Sequence, residues 1–209
     1  MTAVIGIINY GIGNIASVQA ALDRAGLVHQ LLASPEGFKS VSHLILPGVG
    51  AFEIGMKNLH ERGFVEPIRH WALKDRKPFL GICLGMQLLA TESEEFGKHQ
   101  GLDLIPGKVC LLEAKGLRLP HVGWNDIHLE KEDPVFRQEF SSQDFYFVHS
   151  YHFVPQSSAD TTATADYGHR FTACVSNGNI FGAQFHPEKS QKMGIKLLQN
   201  FGEVVSDPC

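Results

Sequence analysis

The sequence predicts one α/β domain built on a mixed, mainly parallel central sheet flanked by helices, and three observations lead there. Short, continuously apolar runs alternate with helical periodicity through the first half, the pattern of parallel strands buried on both faces. After about Gly101 the chain becomes strand-rich with few helices, which adds antiparallel strands to the same sheet. The 209 residues include 44% hydrophobic and 19% charged side chains, ordinary globular usage. No repeat, low-complexity tract or linker divides them, so one domain over residues 1–209 is expected.

Residues 3–9 form the first strand. A glycine-bearing turn at residues 10–14 leads into a helix with Ile15, Val18, Leu22 and Ala25 near one face. Asn14 suits its N-cap and Gly26 the left-handed position after its end. Strands follow at residues 28–32 and 43–46, then helical stretches at 53–61 and 65–74 separated by Gly63. Residues 79–82 make a fourth strand and residues 84–90 start another helix. Beyond the change of style, strands are expected at residues 109–112, 144–153, 171–176 and 179–185. Asn177-Gly178 is a type I′ hairpin signal, and residues 191–205 read as a closing helix.

A net charge of −4 removes the broad basic footprint that nucleic-acid binding needs. No apolar run approaches the roughly 18 residues of a membrane span. The apolar start lacks a basic flank and a small-residue cleavage site, so it is expected to be a strand rather than a signal peptide. Cys83, Cys110, Cys174 and Cys209 are scattered, with no CxxC pair. In a chain able to build its own core, that usage points to reduced thiols in the cytoplasm.

Gly81-Ile82-Cys83-Leu84-Gly85 carries the most chemistry. It joins a strand directly to a helix, and glycines on either side of the cysteine are what a nucleophile elbow requires. Such a turn lifts the sulfur above the carboxyl end of the sheet. It also places Cys83 at a helix N-terminus, where free N–H groups and the macrodipole favour a thiolate. The Leu84 N–H is then placed to hold an oxyanion. A small thiol merely packed in a glycine-rich turn is the competing reading. A thiol nucleophile needs a base, and eleven histidines are available. His186 ends the hairpin strand in Phe185-His186-Pro187-Glu188-Lys189-Ser190. Pro187 enforces extended backbone before it, so His186 and Glu188 can project together, a carboxylate orienting an imidazole.

Pro47-Gly48-Val49-Gly50-Ala51-Phe52 should emerge at the same sheet edge as Cys83, where open α/β sheets bind ligands. Its glycines let backbone N–H groups turn toward a substrate oxygen; an ordinary strand-to-helix turn is equally compatible with them. Gly11-x-Gly13-x-x-Ala16 matches the dinucleotide fingerprint only formally, because no acidic residue ends the second strand. His149 and His152, three apart on one expected strand, would face opposite sides and could not chelate a metal together. Cys110, Cys174 and Cys209 read as packing or terminal residues.

Cys83 in its elbow and His186-Pro187-Glu188 together resemble the class I (triad-type) glutamine amidotransferases, whose arrangement is flavodoxin-like. Further blocks narrow the resemblance. Asn9-Tyr10-Gly11-Ile12-Gly13-Asn14, Pro47 to Phe52, Gly81 to Leu88, Pro120-His121-Val122-Gly123-Trp124-Asn125, Phe145 to Tyr151 and Phe185 to Ser190 are similar, in order, to the glutaminase subunits of imidazole glycerol phosphate synthases. The resemblance implies a Cys83–His186–Glu188 triad that hydrolyses glutamine to glutamate and ammonia through a thioester. It implies that Val49 and Leu84 offer N–H groups to the oxyanion, and that Gly50, Gln87, Ser150 and Tyr151 hold glutamine. Asn14, Trp124, Tyr146 and Lys189 match positions near the interface with a cyclase subunit, a (βα)8 barrel that receives the ammonia for histidine biosynthesis in a heterodimer. No metal or cofactor is implied. His152 stands where a tyrosine is expected. A related glutaminase feeding a surface-sugar synthase, a cysteine esterase or peptidase, and a non-catalytic regulatory or scaffold subunit are the alternatives.

Overall fold

Largely apolar runs at residues 4–8, 44–47 and 79–83 make buried strands. The computed structural model describes residues 3–137 and 144–205, so Cys209 lies outside the described residues. In chain order the strands are β1 (Val4–Ile8), β2 (Val28–Leu32), β3 (His43–Gly48), β4 (Phe79–Cys83), β5 (Glu92–Ser93), β6 (His99–Gln100) and β7 (Gly107–Leu111). They continue as β8 (His121–Leu129), β9 (Asp144–His149), β10 (Tyr151–Pro155), β11 (Thr161–Tyr167), β12 (His169–Asn177) and β13 (Ile180–Ala183). The helices are α1 (Ile15–Ala25), α2 (Phe52–Glu61), α3 (Val65–Arg69), α4 (Leu84–Gln87) and α5 (Gln191–Gly202).

A nine-stranded sheet runs β2-β1-β3-β4-β13-β12-β11-β8-β9. Its pairs from β2 to β13 are parallel and those from β13 to β9 antiparallel. A smaller sheet runs β10-β7-β5-β6. Alternation along β3 sorts the core onto two faces: Ile45 packs with α1 and α5 residues such as Leu22 and Leu198, whereas Leu44 and Leu46 pack with Phe52, Leu59 and Leu84. Helices therefore cover both faces of the parallel half, as the continuous apolar strands require. Asn14 accepts from Ser17 N (3.4 Å) to cap α1, and Gly26 ends it at φ +72°.

Several expectations are corrected. The helix expected at 84–90 stops at Gln87, because N–H groups of Leu102, Asp103 and Leu104 take the carbonyls of Leu88, Ala90 and Leu89. The helix expected at 65–74 changes winding after Arg69, and Asp75 N donates to His70 O five residues back (3.0 Å). The strand expected at 144–153 bends at Ser150: β9 belongs to the large sheet and β10 to the small one. His149 and His152 thus lie on different strands, not on opposite faces of one. The hairpin turn is Gly178-Asn179, since Asn177 pairs with Ile180. Only Gly178 has positive φ (+56°), whereas a type I′ turn needs it at both centres. Strands β5, β6, β8 and β11 lie outside the strands that the sequence predicts.

Candidate active site

Strands β3 and β4 end side by side, with Gly48 opposite Cys83 in register. The Pro47–Phe52 loop and the cysteine elbow therefore leave the same edge of the sheet. Cys83 adopts φ +54° and ψ −109°, a strained conformation for a residue with a side chain. The glycines around it are required by space. A Cβ on Gly85 would stand 1.8 Å from Leu46 O, and one on Gly81 2.5 Å from Gly85 O. With α4 only four residues long, the macrodipole expected to favour a thiolate is reduced to the few free N–H groups of its first turn. Leu84, first in α4, carries one of them.

The Cys83 sulfur lies 3.8 Å from Val148 O and 3.8 Å from Gln184 Nε2. His186 is buried beside it, and its Nδ1 donates to Glu188 Oε1 at 2.7 Å. Extended backbone at His186 (φ −101°, ψ 96°) and the turn Pro187–Lys189 bring the two side chains together. Burial pulls the His186 pKa down, but hydrogen bonds to Cys83 and Glu188 and the charges of both outweigh it and raise the value to about 9. The imidazolium is thus the favoured form between sulfur and carboxylate, as a charge-stabilised triad requires. Glu188 Oε2 is buried with no hydrogen-bond partner.

Gln87 is buried, and its Nε2 donates to Tyr151 O (2.9 Å) and Gln184 Oε1 (3.1 Å). Gln184 therefore links Gln87 to Cys83, and Gln87 in turn contacts Tyr151. Ser150 occupies the bend between β9 and β10, where its carbonyl accepts from Leu112 N (2.8 Å). Gly50 takes φ +102° with open space at its Cβ position, so glycine is needed there for backbone conformation. Val49, the first residue past the end of the β3–β4 pairing, is 41% exposed.

On the outer face of β8 and β9, Trp124 packs against Tyr146 at 5.9 Å between ring centroids. Lys189 Nζ stands 5.8 Å from the Tyr146 ring. Three of the four expected interface residues thus form one exposed patch; the fourth, Asn14, serves as the α1 cap described above. The Gly11 and Gly13 turn is used for packing: a Cβ on Gly11 would meet Arg62 Nη2 at 2.9 Å, and one on Gly13 would lie 3.4 Å from Pro47 O.

Sequence reasoning assigned no site role to Gln184, Tyr10, His121 or His149. Gln184 is fully buried within an apolar strand end, a polar residue whose placement was the available signal. Tyr10 sits beneath the Pro47–Phe52 loop, where a Cβ on Gly48 would stand 2.5 Å from its hydroxyl. Burial, with the nearby Cys83 charge, pushes its pKa well up. Cys174 is buried and burial raises its thiol pKa, as expected of a packed cysteine; Cys110 is half-buried beside Glu94 and Lys108. Among the described residues no helix is long and apolar enough to cross a membrane.

The family model for class-I glutamine amidotransferases matches residues 16–204. An imidazole glycerol phosphate synthase subunit HisH from Syntrophotalea carbinolica is 47% identical over 205 residues, covering 95% of this chain and 98% of that protein. The HisH subunit from Moorella thermoacetica is 48% identical over 201 residues, with 96% and 95% covered. Among solved structures, a glutamine amidotransferase superposes with TM-score 0.75 at 20% identity over 95% of this chain and 97% of the other. The structure of PurLQS from Thermotoga maritima superposes with TM-score 0.74 at 20% identity over 96% and 98%. At those identities the two structures speak for the fold. The elbow, the His–Glu pair and this full-length similarity agree: the chain belongs to the class-I glutamine amidotransferases, within the group of imidazole glycerol phosphate synthase HisH subunits.

Proposed function

We propose that this chain, acting as one domain over residues 1–209, is a cytoplasmic glutaminase subunit whose triad is Cys83, His186 and Glu188. The observation that carries the reading is the sulfur at the strained elbow, with a buried imidazole whose far nitrogen is 2.7 Å from a buried carboxylate. The Cys83 thiolate attacks the side-chain amide carbon of glutamine, and the C–N bond breaks as His186 gives its proton to the departing ammonia. A thioester remains. Water then attacks it, His186 takes a proton from that water, and glutamate leaves as the thiolate is restored. The N–H groups of Val49 and Leu84 hold the oxyanion in both steps, while Gly50, Gln87, Ser150 and Tyr151 hold glutamine.

The ammonia passes to a cyclase subunit, a (βα)8 barrel docked on the Trp124, Tyr146 and Lys189 patch with Asn14 at its margin, for imidazole glycerol phosphate synthesis. Glutamate release by the purified chain, with and without that cyclase and its nucleotide ligand, tests the assignment. Stimulation that requires both establishes chemistry and partner together. Stimulation only by an amidino-sugar synthase transfers the same chemistry to the surface-sugar pathway. A chain silent with either partner overturns the glutaminase reading.

A further inference from the structure

Behind the site lies a chain of polar contacts that the triad chemistry does not use. His121 and His149 face each other across β8 and β9 as register partners. His149 Nδ1 is 2.9 Å from Tyr151 O, and its Nε2 is 3.1 Å from His121 Nδ1. His121 Nε2 is 3.3 Å from Asn125 Nδ2, which also donates to Asp166 O at 2.9 Å. Both histidines are buried, and His121 is stacked on Tyr167 and Phe147 with ring centroids at 4.0 and 5.0 Å.

The direction of every bond in this chain is forced. A carbonyl only accepts, so the proton of the neutral His149 ring sits on Nδ1 and leaves Nε2 bare. That bare nitrogen needs a donor, so the His121 proton is on Nδ1. The remaining His121 nitrogen is then an acceptor, which the Asn125 amide satisfies. Burial, the largest influence on each ring, lowers His121 to about 4 and His149 to about 3, which keeps both neutral.

The other end of the chain reaches the nucleophile. Tyr151 O accepts from Gln87 Nε2 as well as from His149. With its amide nitrogen turned to Tyr151 O, Gln87 presents its second N–H to Gln184 Oε1. Gln184 must then turn its own N–H toward the Cys83 sulfur. Were the Tyr151 carbonyl to move, the Gln87 amide would be free to flip, and Gln184 would aim an oxygen at the sulfur instead. An N–H beside a thiolate stabilises it; a carbonyl oxygen does the opposite.

We propose that Asn125, His121 and His149 form a one-way hydrogen-bond chain that holds the Tyr151 carbonyl, and through Gln87 and Gln184 aims a donor at the Cys83 thiolate. His121 and His149 are then positioning residues of the glutaminase, an assignment that rests on that function. The test uses His121→Phe, His149→Phe and the double variant, because an aromatic ring keeps the packing against Phe147 and Tyr167. Each single change should lower glutamine kcat/KM in the partner-stimulated complex by about tenfold, the effect of unpairing one buried group. The double variant should be no worse than the worse single one, since a chain broken once is broken. The pH midpoint for alkylation of Cys83 by iodoacetamide should move upward in all three.

Asn125→Leu, at the half-exposed outer end, should shift the midpoint in the same direction and keeps the test alive if a buried variant does not fold. Turnover and midpoint unchanged within twofold in the folded variants would overturn the proposal. Lower turnover tracking a lower Tm with an unmoved midpoint would overturn it too, leaving only a packing role. Wild-type chain that releases no glutamate would instead count against the glutaminase reading itself.

Discussion

Replacing Glu188 by glutamine tests the electrostatics of the proposed triad quantitatively. The carboxylate lies 2.7 Å from His186 Nδ1, and both side chains are almost completely buried. The rise of His186 from its ordinary 6.5 to about 9 corresponds to about 3 kcal/mol favouring the folded, protonated state. Because the folded value is raised, this contribution is fully present below pH 6.5 and is lost as pH rises through about 9. Glu188→Gln removes the Glu188 part and leaves that of Cys83. Stability measured by calorimetry from pH 6 to pH 10 should therefore show the variant less stable than wild type at pH 6, by up to about 3 kcal/mol. For a chain of this size that is a Tm deficit of up to about 6–12 °C. The deficit should close by the top of the range, where the imidazole is neutral and Glu188 Oε2, buried without a partner, no longer has a charge to compensate it. A wild-type-minus-variant difference that stays flat across this range would refute the reasoning.

Gly85→Ala should lower stability by about 1–3 kcal/mol, the usual cost of overpacking, because its Cβ would stand 1.8 Å from Leu46 O; thermal unfolding measures it. Lys189→Ala removes an exposed cation from the Tyr146 ring, so Tm should change by no more than about 4 °C while stimulation by the cyclase falls. Unchanged stimulation would remove Lys189 from the proposed docking surface.

The parallel core was legible because β1, β3 and β4 are apolar along their length and buried on both faces, a local signal. The elbow was legible for the same kind of reason: Gly81 and Gly85 flank Cys83 at fixed spacing, and their lack of side chains is now seen to be a packing requirement. His186 and Glu188 are two residues apart, so their pairing too could be read locally. Strand β8 escaped notice because His121, Gly123 and Asn125 occupy three of its inward positions and only Ile127 there is apolar, too little alternation to detect. Strand β11 is built from small threonines and alanines, and carries little hydrophobic signal. The bend at Ser150 and the early end of α4 depend on partners distant in sequence, strands β8 and β7 in one case and residues 102–104 in the other. Gln184 and the His121–His149 pair have the same origin. A histidine shows its partner only after the strands have paired, 28 residues apart in this instance.

The most direct test of the central claim compares Cys83→Ala with wild type in complex with the cyclase, following glutamate release from glutamine and product formation from added ammonia. The account predicts that the variant releases no glutamate yet still supports ammonia-dependent synthesis, because only the sulfur at the elbow can form the thioester. Glutamate release that persists in Cys83→Ala would contradict it.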